Sequence, residues 1–263
     1  MVELIPSADI ELQEIGMTFY SSPDNSIQAL NNINLKIDPG EFICLIGPSG
    51  CGKSTLLRLI AGLDVPTTGK IFIDDQPVKG PHYSRGFVFQ DPTLFPWRNI
   101  RANVAVGLEA RGVLKQRNDE VDEYLKLVGL KEFGNLYPHQ LSGGMAQRVA
   151  LARSLVNHPR VLLMDEPLGA LDAFTRMHMQ DEILRIWEER KTTMVFVTHD
   201  IDEAIYLGDR VVIMTPGPGE IKKVLDISLG RPRSRGSSDF YYYRTLILET
   251  FNLNLHLDPG YLI

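Results

Sequence analysis

The chain carries the stretch Gly47-Pro48-Ser49-Gly50-Cys51-Gly52-Lys53-Ser54-Thr55 between the apolar run 42–46 and the segment 56–61. The apolar run is typical of a buried strand, and the segment that follows is typical of a helix. The spacing Gly-x4-Gly-Lys-Ser lets backbone N–H groups surround phosphate oxygens, and a helix N-terminus adds partial positive charge. Lys53 would reach the β- and γ-phosphates, and the Ser54 hydroxyl would hold magnesium. The sequence therefore predicts a nucleoside triphosphate site rather than a glycine-rich turn capped by a serine.

Composition narrows the class of protein. The 263 residues include 27 basic and 33 acidic side chains, which give a net charge of −6. This balance argues against a nucleic-acid protein that is held mainly by backbone charge. The longest apolar runs, such as 161–164, have strand length and fall well short of the roughly 20 residues that span a bilayer. Cys44 and Cys51 fit neither a metal site nor a disulfide framework, so we expect reduced thiols in a cytosolic protein.

Two adjacent carboxylates follow a predicted buried strand. Asp165 and Glu166 come directly after the apolar run 161–164. Carboxylates at the end of such a strand are costly unless something compensates their charge. A phosphate-bound magnesium would compensate Asp165, and Glu166 could polarise a water for attack on the γ-phosphate. The structural alternative is a pair of acids that caps a loop.

Two further polar side chains end predicted strands. Gln90 follows the strand pattern 86–89, and His199 follows the pattern 193–198. Strand-end side chains are well placed to meet a ligand at the carboxyl edge of an α/β sheet. A lone histidine is usually structural, but its position at a strand end, like those of Gln90 and Asp165, favours a place in the site.

Helical patterns cover 103–110 and 117–128, and a third helix is predicted to begin after Ser142. Ser142 is a plausible N-cap, which is the structural interpretation. Gly143 and Gly144 beside it leave backbone N–H groups open, which would make an anion site. The pattern does not decide between the two.

The C-terminal part of the chain is predicted to add little to the sheet. The last predicted sheet element is 210–214, and Arg231-Pro232-Arg233-Ser234-Arg235 is predicted to be an exposed basic cluster. A helix should run to residue 251 and dock on the main body. The residues of its docking face are Phe240, Tyr243, Ile247 and Phe251.

Together these patterns predict three units. Residues 1–92 and 159–220 would form one discontinuous α/β core with a β subdomain. Residues 93–158 would form a helical subdomain, and residues 221–263 a tail with a helix.

Several of these stretches occur in the order and spacing of an ATP-binding cassette. They are the phosphate loop, Gln90, Leu141-Ser142-Gly143-Gly144-Met145, Leu163-Met164-Asp165-Glu166-Pro167, Ala170-Leu171-Asp172 and His199. Over residues 9 to about 220 the chain resembles the nucleotide-binding subunit of an ABC transporter. The resemblance implies an α/β P-loop NTPase (RecA-like) core with an antiparallel β subdomain and an inserted α-helical subdomain. It also implies ATP and magnesium as ligands, and a peripheral position on the cytoplasmic face of the cell membrane.

The resemblance further implies a head-to-tail homodimer with two ATP molecules at its interface. Ser142, Gly143 and Gly144 would then grip the γ-phosphate of the ATP that is bound to the partner. Asp172 would line the same interface.

Individual roles also follow from the resemblance. Glu166 matches the catalytic base, and His199 matches the residue that holds the γ-phosphate and the water. Gln90 matches the residue that senses magnesium and links the site to the membrane partner. Phe19 best matches the adenine-stacking aromatic, with Tyr20 as the alternative. The implied catalytic residues are thus Glu166, His199, Lys53 and Gln90, and the implied metal ligands are Ser54, Gln90 and Asp165.

One departure points to a subgroup. The signature ends in Met145, where the family usually has glutamine. The stretches 145–148, 94–97 and 172–176 are similar to those of importers for nitrate, taurine and aliphatic sulfonates. We therefore expect the ATPase of an importer for a small anion of this kind, bicarbonate included.

Such an importer would supply the partners. They would be integral membrane permease subunits that couple near residues 91–115 and an extracytoplasmic substrate-binding protein, with no nucleic acid. The alternatives are a soluble cassette ATPase that acts on nucleic acid or ribosomes, and an inactive nucleotide-binding regulator. A soluble cassette ATPase of that kind usually has two cassettes or a long coiled-coil insert. Intact Lys53, Glu166 and His199 argue against an inactive regulator.

Overall fold

The computed structural model describes residues 7–22 and 25–251. Within these residues ten strands form two sheets. The strands are β1 Ile10–Ser22, β2 Asn25–Ile37, β3 Phe42–Ile46, β4 Thr68–Ile73, β5 Gln76–Pro77, β6 Arg85–Val88, β7 Val161–Asp165, β8 Thr193–Val197, β9 Arg210–Met214 and β10 Ile221–Asp226.

The same residues contain seven α-helices. They are α1 Lys53–Ala61, α2 Ile100–Ala110, α3 Asn118–Leu127, α4 Gly143–Leu155, α5 Ala173–Arg190, α6 Ile201–Leu207 and α7 Ser238–Thr250. No helix in the described part of the chain is long and apolar enough to cross a membrane.

The larger sheet has six strands in the order β10-β9-β3-β8-β7-β6. All neighbouring pairs are parallel except β10 with β9. Successive residues of β3 pack into opposite cores: Phe42, Cys44 and Ile46 into one, and Ile43 and Leu45 into the other. This burial on both faces explains why the strands are continuous apolar runs rather than alternating ones.

The smaller sheet is antiparallel, with the order β2-β1-β4-β5. Its Ile10, Leu12 and Ile33 are buried together with Leu56 and Ile60 of α1. Helix α1 therefore starts at the phosphate loop and is held in the core between the smaller sheet and one face of the larger sheet. The remaining helices pack with the opposite face of the larger sheet.

The segment between β6 and β7 is helical, as expected, and contains α2, α3 and α4. Helix α2 begins at Ile100, three residues earlier than the predicted Asn103, because the Asn99 side chain caps it by accepting from Ala102 N. Asn103 is fully buried and donates to the carbonyl oxygens of Phe95 and Arg98. The α2 helix thus fixes the loop that follows Gln90.

The prediction that 210–214 is the last sheet element is wrong. Strand β10 pairs with β9 in antiparallel register, from Ile221 opposite Met214 to Asp226 opposite Arg210. Most of its side chains are exposed, and only Leu225 is buried. An edge strand of this kind lacks the apolar run that marks a central strand, so the sequence pattern missed it.

The prediction of an exposed basic cluster at 231–235 is wrong for Arg233, whereas Arg235 is exposed as predicted. Arg233 is only 7% exposed and donates to the carbonyl oxygens of Ile205, Gly208 and Ile227. Burial, followed by the charge of Arg231, lowers the pKa of Arg233 to about 10. Arg233 therefore supplies donors to carbonyl groups at the C-terminal end of α6 and links the tail to the core. We call Arg231, Arg233 and Arg235 the arginine clasp.

Arg231 and Arg235 extend this clasp. Arg231 donates to Asp209 Oδ1 at 2.6 Å and lies 4.4 Å from the ring centre of Trp187. Arg235 lies 3.6 Å from the ring centre of Tyr206.

Replacing Arg233 should therefore destabilise the fold. We expect Arg233→Ala to lower the free energy of unfolding by about 2–4 kcal/mol, because several buried carbonyl groups lose their donor. Arg244→Ala is the control, since Arg244 is half exposed and forms one ion pair with Asp202; its effect should be within about 0.5 kcal/mol. Urea unfolding of both variants measures the difference in their free energies of unfolding. Equal urea midpoints would contradict a stabilising role for the Arg233 hydrogen bonds.

Helix α7 docks through the predicted face. Phe240 and Ile247 are buried, and Tyr243 and Phe251 pack against the same core. The division into 1–92 with 159–220, 93–158 and 221–263 stays a prediction, and its outer limits lie outside the described residues.

Candidate functional site

The phosphate loop connects β3 to α1 through two glycines in left-handed backbone conformation. Gly50 has φ 79° and Gly52 has φ 92°. A Cβ on Gly52 would lie 2.5 Å from Leu30 Cδ2, whereas one on Gly50 would meet nothing within 4 Å. Gly52 is therefore needed for the close packing under the loop, and Gly50 leaves the loop surface open to a ligand.

The side chain of Lys53 is buried beneath this loop. Its Nζ donates to Gly47 O at 2.8 Å and to Pro48 O at 3.1 Å. The ammonium group is thus held inside the curve of the loop by two backbone carbonyls. A phosphate oxygen can replace either carbonyl oxygen as the acceptor of a hydrogen bond from Lys53, which suits the predicted role of this side chain.

Ser54 and Asp165 meet across the base of the site. Ser54 Oγ donates to Asp165 Oδ1 at 3.0 Å. Burial raises the pKa of Asp165, and the neighbouring Glu166 charge acts in the same direction, while the Ser54 hydrogen bond opposes both. A cation would offset the cost of this buried charge, and hydroxyl and carboxylate oxygens are the ligands that magnesium prefers. The pair therefore fits the predicted magnesium site.

Glu166 lies at the centre of three strand ends. Gln90 Nε2 donates to Glu166 Oε2 at 3.2 Å, and His199 Nδ1 lies 3.4 Å from the same oxygen. The three strands are neighbours in the sheet, since β7 pairs in parallel with both β6 and β8. The structure thus brings Gln90, Asp165, Glu166 and His199 together at one sheet edge.

The backbone of Glu166 adopts an unusual conformation, with φ 44°. For a non-glycine residue this conformation costs of order 1–3 kcal/mol and persists only where the surroundings enforce it. Here Glu166 N donates to Val197 O at 3.0 Å, and Glu166 O accepts from Gly169 N at 3.2 Å. These bonds turn the carboxylate toward Gln90 and His199.

A cavity of about 530 Å³ opens beside the phosphate loop. Its lining includes Gly47, Pro48, Ser49, Lys53, Glu166 and His199. The loop, the buried lysine and the central carboxylate thus face one space. The geometry provides a phosphate cradle, a candidate metal site and a candidate base side by side.

The same cavity has lining residues that the sequence analysis did not identify. They are Ile46, Ile201, Met214, Pro216, Lys222 and Phe251. Lys222 belongs to the missed edge strand, and Phe251 lies just beyond the end of α7. The apolar face 240–251 predicted that this helix docks on the core. Nothing in the sequence showed that Phe251 would reach the cavity beside the phosphate loop.

Ser142 and Asp172 form a separate surface. Ser142 Oγ accepts from Met145 N and caps α4, and Asp172 accepts from Thr175 N and caps α5. Among the described residues that line the phosphate-loop cavity, neither is found. Helix α5 begins at Ala173 because Asp172 caps it.

The two caps lie close to each other. A Cβ on Gly144 would come within 2.9 Å of Leu171 Cδ2, so the signature glycine packs directly against the residue before Asp172. Gly143 and Ser142 remain exposed. Ser142 and Gly143 therefore lie on the surface of the chain, and neither lines the phosphate-loop cavity.

Phe19 and Tyr20 lie near the end of β1 and are 45% and 70% exposed. Neither lines the cavity beside the phosphate loop. The choice between them as the aromatic that stacks on adenine stays a prediction.

Comparisons with known proteins identify the family. A family model described as "ABC transporter" matches residues 30–169, which span the phosphate loop, the signature and both carboxylates. The chain belongs to the ABC transporter family. The cassette is 36% identical to a solved ATP-binding cassette, dimeric and in a post-hydrolysis state bound to ADP and Pi. That match has a TM-score of 0.77 and covers 84% of this chain and 100% of the other.

Relatives of the cassette include import proteins. It is 54% identical over 226 residues to an uncharacterised ABC transporter ATP-binding protein of Methanocaldococcus jannaschii, covering 86% of this chain and 85% of the relative. It is 50% identical over 233 residues to the aliphatic sulfonates import protein SsuB of Bacillus thuringiensis, with 89% and 92% covered. It is 49% identical over 221 residues to the nitrate import protein NrtD of Synechocystis, with 84% and 83% covered.

The predicted fold class and family are therefore confirmed. The chain is an ATP-binding cassette that hydrolyses ATP, with the phosphate loop and its neighbouring carboxylates as the candidate site. The roles of single residues within that site are taken up below.

Proposed function

We propose that this cassette is the ATPase subunit of an importer for a small anion, of which nitrate and the aliphatic sulfonates are the leading classes. The names of relatives that are about half identical over most of the chain support this. The observation that carries the ATPase part of the proposal is the contact of both Gln90 and His199 with Glu166 beside the phosphate-loop cavity. The cassette would lie at the cytoplasmic face of the membrane, bound to integral permease subunits and served by an extracytoplasmic binding protein.

The chemistry follows from the contacts. Lys53 would exchange its two carbonyl partners for oxygens of the β- and γ-phosphates. Glu166 would take a proton from the attacking water, and His199 beside it would hold the water and the γ-phosphate. Magnesium, held through Ser54 and Asp165 and sensed by Gln90, would neutralise charge on the phosphate oxygens.

The complete site would need a second copy of the chain. Ser142 and Gly144 are exposed or partly exposed, away from their own phosphate-loop cavity, and Asp172 lies beside them. In a head-to-tail homodimer this surface would face the partner's phosphate loop. The dimeric state described for the solved cassette supports such an arrangement. Phe19 would stack on adenine, with Tyr20 as the alternative.

Removing the Ser54 hydroxyl should raise the demand for magnesium. We expect Ser54→Ala to increase the magnesium concentration for half-maximal turnover by about tenfold or more, because one oxygen ligand is lost. ATP affinity measured without magnesium should stay close to the parent value, since backbone N–H groups and Lys53 remain. Ser49→Ala is the control, because Ser49 lies in the same loop but makes no hydrogen bond with Asp165. An unchanged magnesium titration for Ser54→Ala would remove Ser54 from the metal site.

The transport role is tested by isolating the partners. Tagged cassette is purified from gently solubilised native membranes, and the bound proteins are identified by mass spectrometry. We expect a polytopic membrane protein in equal amount. The extracytoplasmic binding protein that serves this permease is then tested for binding of nitrate, taurine, aliphatic sulfonates and bicarbonate. Recovery of only soluble partners, or of nucleic acid, would overturn the importer and favour the soluble cassette ATPase.

A further inference from the structure

A small cavity of about 40 Å³ adjoins Glu166 and His199, which also line the larger cavity beside the phosphate loop. Its other polar lining includes Thr198 and Glu203. Glu203 lies in the first turn of α6 and is only 6% exposed. A buried carboxylate needs hydrogen-bond donors, and those of Glu203 lead from the candidate site to the C-terminal tail.

Glu203 accepts hydrogen bonds from two side chains of different elements. Gln180 Nε2, on α5, donates to Glu203 Oε1 at 2.9 Å. The hydroxyl of Thr198, the residue after β8, donates to the same carboxyl group. Burial raises the pKa of Glu203, and these two hydrogen bonds oppose that shift. Glu203 thus joins α5 to the residue that precedes His199.

The Thr198 hydroxyl holds the turn on both sides of His199. It accepts a hydrogen bond from Asp200 N at 3.0 Å and donates its own hydrogen to Glu203. Asp200 Oδ1 in turn accepts from the backbone N–H groups of Asp202 and Glu203. The turn that carries His199 and the first turn of α6 therefore share one set of hydrogen bonds.

At its other end this set of hydrogen bonds reaches the tail. Arg235 donates to Gln180 Oε1, and its guanidinium lies 3.6 Å from the ring centre of Tyr206. Because an arginine can only donate hydrogen bonds, it turns the oxygen of the Gln180 amide toward the tail and the NH₂ group toward Glu203. Gln180 is only 4% exposed, so little water is available to replace either partner.

The donors thus run in one direction from the tail to the carboxylate beside the His199 turn. We propose that Gln180 and Glu203 are positioning residues for ATP hydrolysis, and that Arg235 of the tail keeps them in the arrangement that places His199. This proposal rests on the proposed role of His199 in holding the γ-phosphate and the water. Among the described residues that line the phosphate-loop cavity, neither Gln180, Glu203 nor Arg235 is found, so their effect on the reaction passes through His199.

Arg235 gives the clearest test, because it is exposed and its replacement leaves the core packing intact. In the full chain we expect Arg235→Ala to lower the kcat of ATP hydrolysis about three- to tenfold, because small displacements of a positioned group slow a reaction strongly. ATP affinity should stay within about twofold of the parent value, since the phosphate loop is untouched. Phosphate release measures kcat, and equilibrium binding of a fluorescent ATP analogue measures affinity.

Two further variants control this result. Arg235→Lys keeps a donor for Gln180 Oε1 and should recover most of the parent kcat. Arg244→Ala removes another arginine of the tail that contacts α6, through the Asp202 carboxylate rather than through Gln180 or Glu203. Its kcat should equal that of the parent.

A double variant shows whether the residues act together. Glu203→Gln replaces an accepting oxygen with a donor and should itself lower kcat, and adding Arg235→Ala should then lower it by less than about twofold more. A merely structural role of Arg235 predicts the same loss in both backgrounds, in step with the folded fraction that urea unfolding gives. The comparison of Arg235→Ala with Arg235→Lys does not depend on the folding of Glu203→Gln.

An unchanged kcat for Arg235→Ala, or equal losses in the two backgrounds, would overturn the positioning role. His199→Ala tests the role on which it rests. If His199→Ala hydrolyses ATP at the parent rate, the proposed role of His199 fails. If His199→Ala loses turnover while Arg235→Ala does not, only the positioning role fails.

Discussion

Glu166→Gln should lower ATP turnover by about 10²- to 10⁴-fold while ATP still binds. The amide has nearly the same shape as the carboxylate and can still accept from Gln90, whose Nε2 lies 3.2 Å from Glu166 Oε2. It cannot take a proton from water, so the bond to the γ-phosphate is not broken. Because Lys53 and the phosphate loop are untouched, the variant should accumulate as an ATP-bound dimer.

Two measurements check this outcome. Phosphate release gives the turnover, and size-exclusion chromatography with and without ATP gives the oligomeric state. Glu188→Gln removes the same charge from an exposed position on α5 and should behave as the parent does. Hydrolysis by Glu166→Gln at the parent rate would exclude Glu166 as the base and leave His199 as the nearest candidate.

The grouping of strand-end side chains at the site could be predicted from the sequence, because each strand and the polar residue that ends it are recognised from a short stretch of chain. A buried parallel strand is a short apolar run, and its polar end must lie at the carboxyl edge of the sheet. Gln90, Asp165 and His199 each follow such a run, and the pairing of β6, β7 and β8 places them together. The left-handed backbone of Glu166 was not predictable, because it depends on hydrogen bonds with β8 and the following turn.

The C-terminal errors have one physical cause. Strand β10 is an exposed edge with a single buried side chain, and the basic cluster is polar, so both patterns suggest solvent. What binds Arg233 is the set of carbonyls that the end of α6 leaves without partners. Those acceptors are backbone groups some 25 residues earlier in the chain, and no side-chain pattern reveals them.

The pattern around Ser142 left two interpretations open, and the structure shows how both can hold. Its hydroxyl caps α4, while the N–H groups of Gly143 and Gly144 start a helix whose end is exposed. A cap and an anion site are compatible at a helix N-terminus, because the cap uses only one of the free donors.

Two inactive variants should restore each other if the site is shared between copies. Lys53→Ala removes the phosphate-binding ammonium, and Ser142→Arg places a bulky side chain where the partner's phosphate would lie. We expect each homodimer to lose at least about 10²-fold in turnover, because the interaction lost is made to the transferring phosphate. A heterodimer of the two variants has one site with Lys53 from one chain and Ser142 from the other, both intact.

Purification through two different tags isolates this heterodimer, and its ATP turnover is compared with that of a doubly tagged parent dimer. About half of the parent turnover is expected, because one of the two composite sites is complete. If Lys53 and Ser142 instead served one nucleotide within the same chain, every site in the heterodimer would carry a defect and turnover would stay at the level of the single variants. The position of Ser142 outside its own phosphate-loop cavity favours the first outcome. ATP binding separates the two defects, since the Ser142→Arg chain retains its own phosphate loop and the Lys53→Ala chain does not.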